Sequence, residues 1–199
     1  MAIVGRSETK KGGKIRLGMV GGGEGAFIGA VHRIASRIDD HYELVAGALS
    51  STPEKARRSG EALGLAADRI YDDYESMAKA EAKRPDGIEA VSIVTPNHAH
   101  AGPTYAFLKA GVHVICDKPL TVSLAEAKKM RAAVEKSGLV FALTHNYTGY
   151  PLVRRMREMV RAGELGEIRL VQGEYPQDWL TGPTETTGNN GRVSSCRTR

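Results

Sequence analysis

The sequence predicts an α/β domain, a doubly wound parallel sheet followed by the beginning of a second α+β domain. Three observations carry that prediction. Short β-branched runs alternate with longer helical patterns, which is the sign of right-handed βαβ units. The strand candidates are apolar throughout rather than alternating, so helices must cover both faces of the sheet. A glycine-rich turn, within RLGMVGGGEGAFIGAVH (16–32), joins the first strand candidate to the first helix candidate.

In chain order the strand candidates are IRLGMV (15–20), YELVAGAL (42–49), EAVSIVT (89–95), VHVIC (112–116) and LVFALTH (139–145). Helical patterns fall near 26–37, 53–63, 73–82, 99–110, 123–136 and 151–162. Thr52 before Pro53 reads as an N-cap followed by proline at the first helical position. Ser123 with Glu126 has capping-box spacing. Gly111 and Gly138 stand where two helices should stop, because glycine adopts the left-handed conformation at little cost.

Composition narrows the function classes. At 199 residues, with 41% hydrophobic and 26% charged residues, the chain has ordinary globular make-up and room for one well-buried domain with a remainder. Its formal charge of +5 sits at the ends, in Arg6, Lys10, Lys11 and Lys14 against Glu8, and in Arg192, Arg197 and Arg199 against Glu185. The body is balanced and shows no basic face with interleaved aromatics, so no nucleic-acid partner is expected. Two cysteines, Cys116 and Cys196, give neither a disulfide framework nor Cys-x-x-Cys spacing, which points to a reducing compartment and no metal site. MAIVGRSETKKGGK holds too short an apolar stretch for a signal peptide, and no apolar run reaches the length of a membrane span. A soluble, cytoplasmic protein is expected.

The glycine turn is the first functional signal. Gly21-Gly22-Gly23-Glu24-Gly25-Ala26 reads G-x-G-x-x-A between a strand and a helix, the context of a Rossmann dinucleotide turn. One glycine permits the tight turn, the next lets backbone approach a pyrophosphate, and the small third residue lets helix pack on strand; the helix N-terminus then offers N–H donors to phosphate. At the end of the second strand, Ser50 stands where an acid would accept the ribose hydroxyls of NAD. Ser51, Lys55, Arg57 and Arg58 follow, and neutral hydroxyls beside cations favour NADP over NAD. A solvated helix face is the alternative for those cations.

Two further motifs fall at strand ends. VSIVTPNHAH (91–100) ends in Thr95-Pro96-Asn97 with His100 beyond, and GVHVICDKPL (111–120) ends in Asp117-Lys118-Pro119. Taken with the glycine turn, these resemble the Gfo/Idh/MocA family of NAD(P)-dependent oxidoreductases, which act mostly on sugars, cyclitols and related polyols. The resemblance covers roughly residues 15–180, including GELGEIRLVQGEY (163–175), which looks like the family's crossover into its second domain.

The resemblance implies a dinucleotide-binding domain over 15–146 and the start of a substrate and oligomerisation domain (147–180), between ends whose composition reads as a leader (1–14) and a polar tail (181–199). It implies that Gly21, Gly23 and Ala26, with Phe27 and Ile28 behind them, line the pyrophosphate. Ser50 and Ser51 would lie at the adenosine ribose, and Thr95, Pro96, Asn97 and His100 under the ribose and nicotinamide. Asp117, Lys118, Pro119 and Asn146 complete the implied cofactor set. Lys118 matches the family lysine that contacts the reacting hydroxyl, and a fixed ammonium there would stabilise developing alkoxide character. A small-molecule polyol substrate is implied, and homo-oligomerisation in the full-length relative.

Departures from the pattern are equally specific. Asp117 replaces the usual glutamate, and Thr148 stands where many members carry arginine. Tyr147 and Tyr150 read as pocket lining or packing, His32, His41 and His113 as structural, and His98 and His145 stay open. The family's Asp-x-x-x-His base is absent, and the tail TGPTETTGNNGRVSSCRTR keeps no strand or helix period. It reads as the mark of a truncated or frame-shifted chain, whose strand at 167–175 would be left as an unpaired apolar edge prone to self-association. Ser92, Tyr105 and Lys109 imitate the Ser…Tyr-x-x-x-Lys spacing of short-chain dehydrogenases, but Ser92 falls inside a central strand candidate. A non-catalytic nucleotide-binding module is the alternative function.

Overall fold

The computed structural model describes residues 13–176. Its first unit, ending at Gly149, contains β1 (Ile15–Gly21), α1 (Phe27–Ile38), β2 (Tyr42–Ala48), α2 (Pro53–Ala62), α3 (Tyr74–Glu81), β3 (Ala90–Val94), α4 (Ala101–Lys109), β4 (His113–Cys116), α5 (Leu124–Ser137) and β5 (Phe141–Leu143). The second unit begins at Tyr150 and contains α6 (Pro151–Arg161). The expected polar tail (181–199), with Trp179 and Leu180, lies outside the described residues, as does the leader apart from residues 13 and 14.

All five strands run parallel in the order β2-β1-β3-β4-β5, with Leu17 opposite Ala90, Val91 opposite Val114, and Val114 opposite Phe141. Beyond β2, a single parallel bridge joins Gly47 to Ile70. Counting that bridge as a vestigial strand gives the six-position 3-2-1-4-5-6 order of a doubly wound dinucleotide fold. The order reverses between β1 and β3, which opens a crevice at their carboxyl ends.

Successive strand residues face opposite sides, and both sides are buried here. Val20 and Ile93 join a cluster with Met77, Val91, Phe107, Val114 and Cys116, while their neighbours Met19 and Val94 join a second with Leu49 and Leu65. Phe107, Met77 and Ile93 are fully buried, each contributing about 1.5–3 kcal/mol of apolar transfer free energy.

The helix punctuation follows the sequence with one change. Ser123 Oγ accepts the Glu126 N–H at 3.2 Å, and Gly111 and Gly138 have φ of +79° and +67°. Thr52 is the N-cap of α2, but its side chain makes no cap; instead Ser50 Oγ accepts the Thr52 N–H at 3.1 Å. Pro53 already removes one donor from the first turn, so the hydroxyl cap is less needed. The strand expected at 167–175 is not one: residues 167–176 have no regular structure and, among the described residues, pair with no strand. A strand exists through its ladder partners, and a lone apolar run has none to hydrogen-bond.

A charged cluster fastens the amino-terminal end of the sheet. Arg69 and Glu81, 7% and 2% exposed, form an ion pair in which both guanidinium nitrogens Nε and Nη2 donate to the carboxylate. Tyr71 Oη donates to Glu81 Oε1 at 2.8 Å, and the Ile88 N–H to Oε2 at 3.0 Å. Burial, then the bond to Glu81, pushes the Tyr71 phenol well above its ordinary range. Next to it, Arg16 Nε donates to the Gly87 carbonyl at 2.6 Å, joining the starts of β1 and β3.

Among the described residues no helix is long and apolar enough to cross a membrane. Breaking a buried pair leaves a charge without a partner, typically costing about 3–5 kcal/mol. Arg69→Ala should therefore lower the urea unfolding midpoint sharply, whereas Arg131→Ala, which breaks only the exposed pair with Glu135, should leave it nearly unchanged.

Candidate dinucleotide and active site

The glycine turn is held from three sides. Gly22, at φ +73°, takes a backbone conformation that side chains disfavour. The Gly23 N–H donates to the Leu49 carbonyl at 3.1 Å, tying the turn to the end of β2. A Cβ on Gly23 would lie 2.7 Å from both that carbonyl oxygen and Ser59 Oγ, so only glycine permits the approach. From α1, Arg33 Nη1 reaches back to the Gly22 carbonyl at 2.7 Å. Burial and then the neighbouring Arg37 lower the Arg33 pKa. From α2, Ser59 Oγ accepts the Glu24 N–H at 3.0 Å, and Arg58 Nη2 stands 3.6 Å from Glu24 Oε2.

This turn fits a pyrophosphate. Ala26 is the N-cap of α1 and offers no side-chain acceptor, and the first turn of the helix carries no acid. The first N–H groups of a twelve-residue helix therefore lack a side-chain cap, and the macrodipole favours an anion beside them. Phe27 is exposed, while Ile28 packs against the Met19 and Leu49 cluster, so of the two expected at the pyrophosphate it is Ile28 that the core takes up. Ser51 is exposed; Ser50 is half-buried with its oxygen committed to Thr52.

At the end of β3, Thr95 Oγ1 donates to the Ala99 carbonyl at 3.0 Å, closing the loop that leaves Pro96 and Asn97 exposed. His100 was expected beneath the cofactor, and the structure buries it at 1% exposure. Its Nδ1 lies 2.8 Å from the Pro119 carbonyl oxygen and its Nε2 3.0 Å from that of Thr95. Both partners are acceptors only. The ring thus braces the Thr95-Pro96-Asn97 loop against the Asp117-Lys118-Pro119 loop and acts through them. Lys118 is exposed, and its bond to Pro119 is cis.

Asp117 is the centre of a network the sequence reading divided among unrelated elements. Thr144 Oγ1 donates to Asp117 Oδ1 at 2.8 Å, and His32 Nε2 lies 3.8 Å from the same oxygen. The other ring nitrogen, Nδ1, is 2.8 Å from Ser92 Oγ. Burial pushes the Asp117 pKa up, but the nearby His32 ring, the bond from Thr144 and the Lys118 backbone N–H outweigh it and leave the carboxyl below its ordinary range. Ser92, 1% exposed in β3, is spent on His32, which disposes of the short-chain dehydrogenase spacing. Asn146 opens the exposed turn Asn146–Gly149 after β5, where Thr148 Oγ1 donates to the His145 carbonyl at 2.7 Å.

The structure therefore brings Gly21, Gly23, Ala26, Thr95, Pro96, Asn97, Asp117, Lys118, Pro119 and Asn146 to the carboxyl ends of β1, β3, β4 and β5. Sequence reasoning read His32 as structural, as it is, without its partners, and missed Arg33, Ser59 and Thr144 as supports. On α1 the polar residues are His32, Arg33, Ser36 and Arg37, and nothing local says that Arg33 is the one that turns back to the glycine turn; Ser59 had no signal either. Among the described residues no group of three or more His, Cys, Asp and Glu is arranged to hold a metal.

Two outcomes test this geometry. Gly23→Ala should push the turn off β2 and weaken dinucleotide binding at least about tenfold by fluorescence titration. Thr144→Val removes a bond to the ionised carboxyl, so the Asp117 pKa should rise, as read by carboxyl carbon NMR. Because that pKa is depressed on folding, its stabilising contribution is present above the unfolded carboxyl value and lost as pH falls through the folded one; Thr144→Val should move that loss to higher pH.

Residues 15–145 match the model of an oxidoreductase family with an NAD-binding Rossmann fold. The chain is 43% identical over 162 residues to an uncharacterized oxidoreductase, YfiI, of Bacillus subtilis (strain 168), covering 81% of this chain and 41% of that protein. To levoglucosan dehydrogenase of Pseudarthrobacter phenanthrenivorans it is 33% identical over 170 residues, covering 85% and 43%. An oxidoreductase from Sinorhizobium meliloti superposes with a TM-score of 0.80 at 65% identity, over 85% of this chain and 47% of that one. An inositol dehydrogenase homolog from Azotobacter vinelandii, complexed with NADH and myo-inositol, superposes with a TM-score of 0.75 at 45% identity, over 78% and 41%. The chain thus spans less than half the length of these relatives.

Proposed function

The chain belongs to the Gfo/Idh/MocA family of oxidoreductases with an NAD-binding Rossmann fold, and we propose that it serves reversible oxidation of a secondary alcohol of a sugar, cyclitol or related polyol to the ketone. One observation carries the reading: the glycine turn, the Thr95-Pro96-Asn97 loop and the Asp117-Lys118-Pro119 loop stand at neighbouring strand ends beside the β1/β3 reversal. Open α/β sheets bind their ligands there. Names of similar proteins, levoglucosan dehydrogenase and an inositol dehydrogenase homolog, support the substrate class.

In this reading Gly21, Gly22, Gly23 and the uncapped N–H groups of α1 hold the pyrophosphate. Thr95, Pro96, Asn97 and Asn146 bound the ribose and nicotinamide side of the site. A nicotinamide dinucleotide supplies the hydride acceptor when bound. Lys118 donates a hydrogen bond from its ammonium to the substrate hydroxyl oxygen and stabilises the negative charge that gathers there as the carbon is oxidised. Asp117, kept ionised by Thr144 and His32, fixes the backbone that presents Lys118 through its bond with the Lys118 N–H. His100 holds the loop of Pro119 against that of Thr95. The resemblance implies a general-base histidine from a second domain, and the 199 residues of this chain contain no Asp-x-x-x-His motif.

Fluorescence titration with NADH and NADPH is the direct test, since a chain that binds neither has no dinucleotide site. Lys118→Met should leave dinucleotide affinity within about twofold and reduce polyol-dependent reduction of the oxidised cofactor by about 100-fold or more, measured at 340 nm. Equal loss of affinity would make Lys118 a cofactor contact rather than the group at the reacting oxygen.

A further inference from the structure

We propose that Glu24, carried on the phosphate turn and steadied by Ser59 and Arg58, is the carboxylate that reads the adenosine ribose and selects a free 2′-hydroxyl, making NAD the preferred cofactor. The inference rests on the dinucleotide-site reading above. It assigns to the turn the part that an acid at the end of β2 plays elsewhere.

The end of β2 lacks that acid. Ser50 stands in its place, and the serine oxygen already accepts the Thr52 N–H at 3.1 Å. The turn, however, is drawn to the same spot, because the Gly23 N–H donates to the carbonyl of Leu49, the residue before Ser50. Glu24 is therefore set beside the β2–α2 junction. Its backbone N–H is fixed to Ser59 on α2 at 3.0 Å, and its carboxylate faces Arg58 on the same helix at 3.6 Å. The side chain thus leans toward α2, across the gap in which the ribose of a dinucleotide on this turn must lie.

Charge decides the selectivity. An ionised carboxylate accepts hydrogen bonds from both ribose hydroxyls, and it meets a 2′-phosphate as a like charge. Arg58 is one of three cations of α2, with Lys55 and Arg57, that could receive such a phosphate. Its position opposite Glu24 gives it a different partner, and both side chains are about two-thirds exposed, at 64% and 65%. So exposed a pair contributes little to stability; its importance lies in where it holds the carboxylate. The serines and cations that favour NADP on sequence alone thus stand beside a turn that carries its own acid, Glu24.

The test is a pair of titrations of the full 199-residue chain with NADH and NADPH, on the unaltered protein and on Glu24→Gln, Glu24→Asp and Arg58→Ala. The unaltered chain should prefer NADH. Glu24→Gln should shift the ratio of dissociation constants at least about tenfold toward NADPH, while Glu24→Asp should keep the preference. Arg58→Ala should narrow the preference for NADH without reversing it, because Glu24 loses the partner that holds its carboxylate. Tighter binding of NADPH by the unaltered chain, or a ratio that Glu24→Gln moves by less than about twofold, would overturn the proposal while leaving the site itself intact. Binding of neither dinucleotide by the unaltered chain would overturn the site, and this inference with it.

Discussion

A Cβ on Gly29 would stand 2.4 Å from both the Cα and the carbonyl oxygen of Gly22. The first helix can lean directly on the turn that precedes it only because neither residue carries a side chain, and the rest of the site is set by that contact. It brings the helix axis close enough for Arg33 to reach the Gly22 carbonyl. It also carries His32 over the sheet, where the ring meets Ser92 on β3 and Asp117 after β4. One helix thus supports the phosphate turn with its first residues and the lysine loop with its middle, so the two halves of the candidate site share a single rigid reference.

The second organising constraint is that the loops at the strand ends are tied to one another as well as to their strands. His100 spans the β3 and β4 loops, Thr144 joins β5 to β4, and Gly23 joins the turn to β2. Each tie uses a polar group that would otherwise be left without a partner near the core, and among the described residues no buried side-chain nitrogen or oxygen lacks one. Exposed groups, above all Lys118 and Asn97, are consequently presented from a backbone with few alternative positions.

Much of the fold was legible because its signals are local. Apolar runs, glycine stops and the Ser123 cap each depend on a few adjacent residues, and the elements fall where those residues put them. The motif loops were legible for a related reason: in a parallel sheet, a residue just after a strand must lie on the ligand-binding edge. What sequence could not show were long-range pairings. Nothing local distinguishes Ser59 as the acceptor for Glu24, or Thr144 as the donor to Asp117, since each depends on how two distant elements meet. His100 illustrates the limit from the other side: its place in the motif was visible, but its burial between two carbonyl groups was not. The run at 167–175 shows that apolar character alone does not make a strand, since among the described residues it has no regular structure.

The buried Arg69–Glu81 pair is fastened to Ile88 and neighbours Arg16 at the starts of β3 and β1, away from the candidate-site loops at the strands' carboxyl ends, while Tyr71 reaches it from beside Gly47 of β2. Cohesion and recognition are therefore housed at opposite poles of the same strands. A lineage carrying this domain can rewrite its specificity loops without loosening the clamp beneath them. Drift at the clamp, in turn, is filtered by the need to remain folded and not by the choice of substrate.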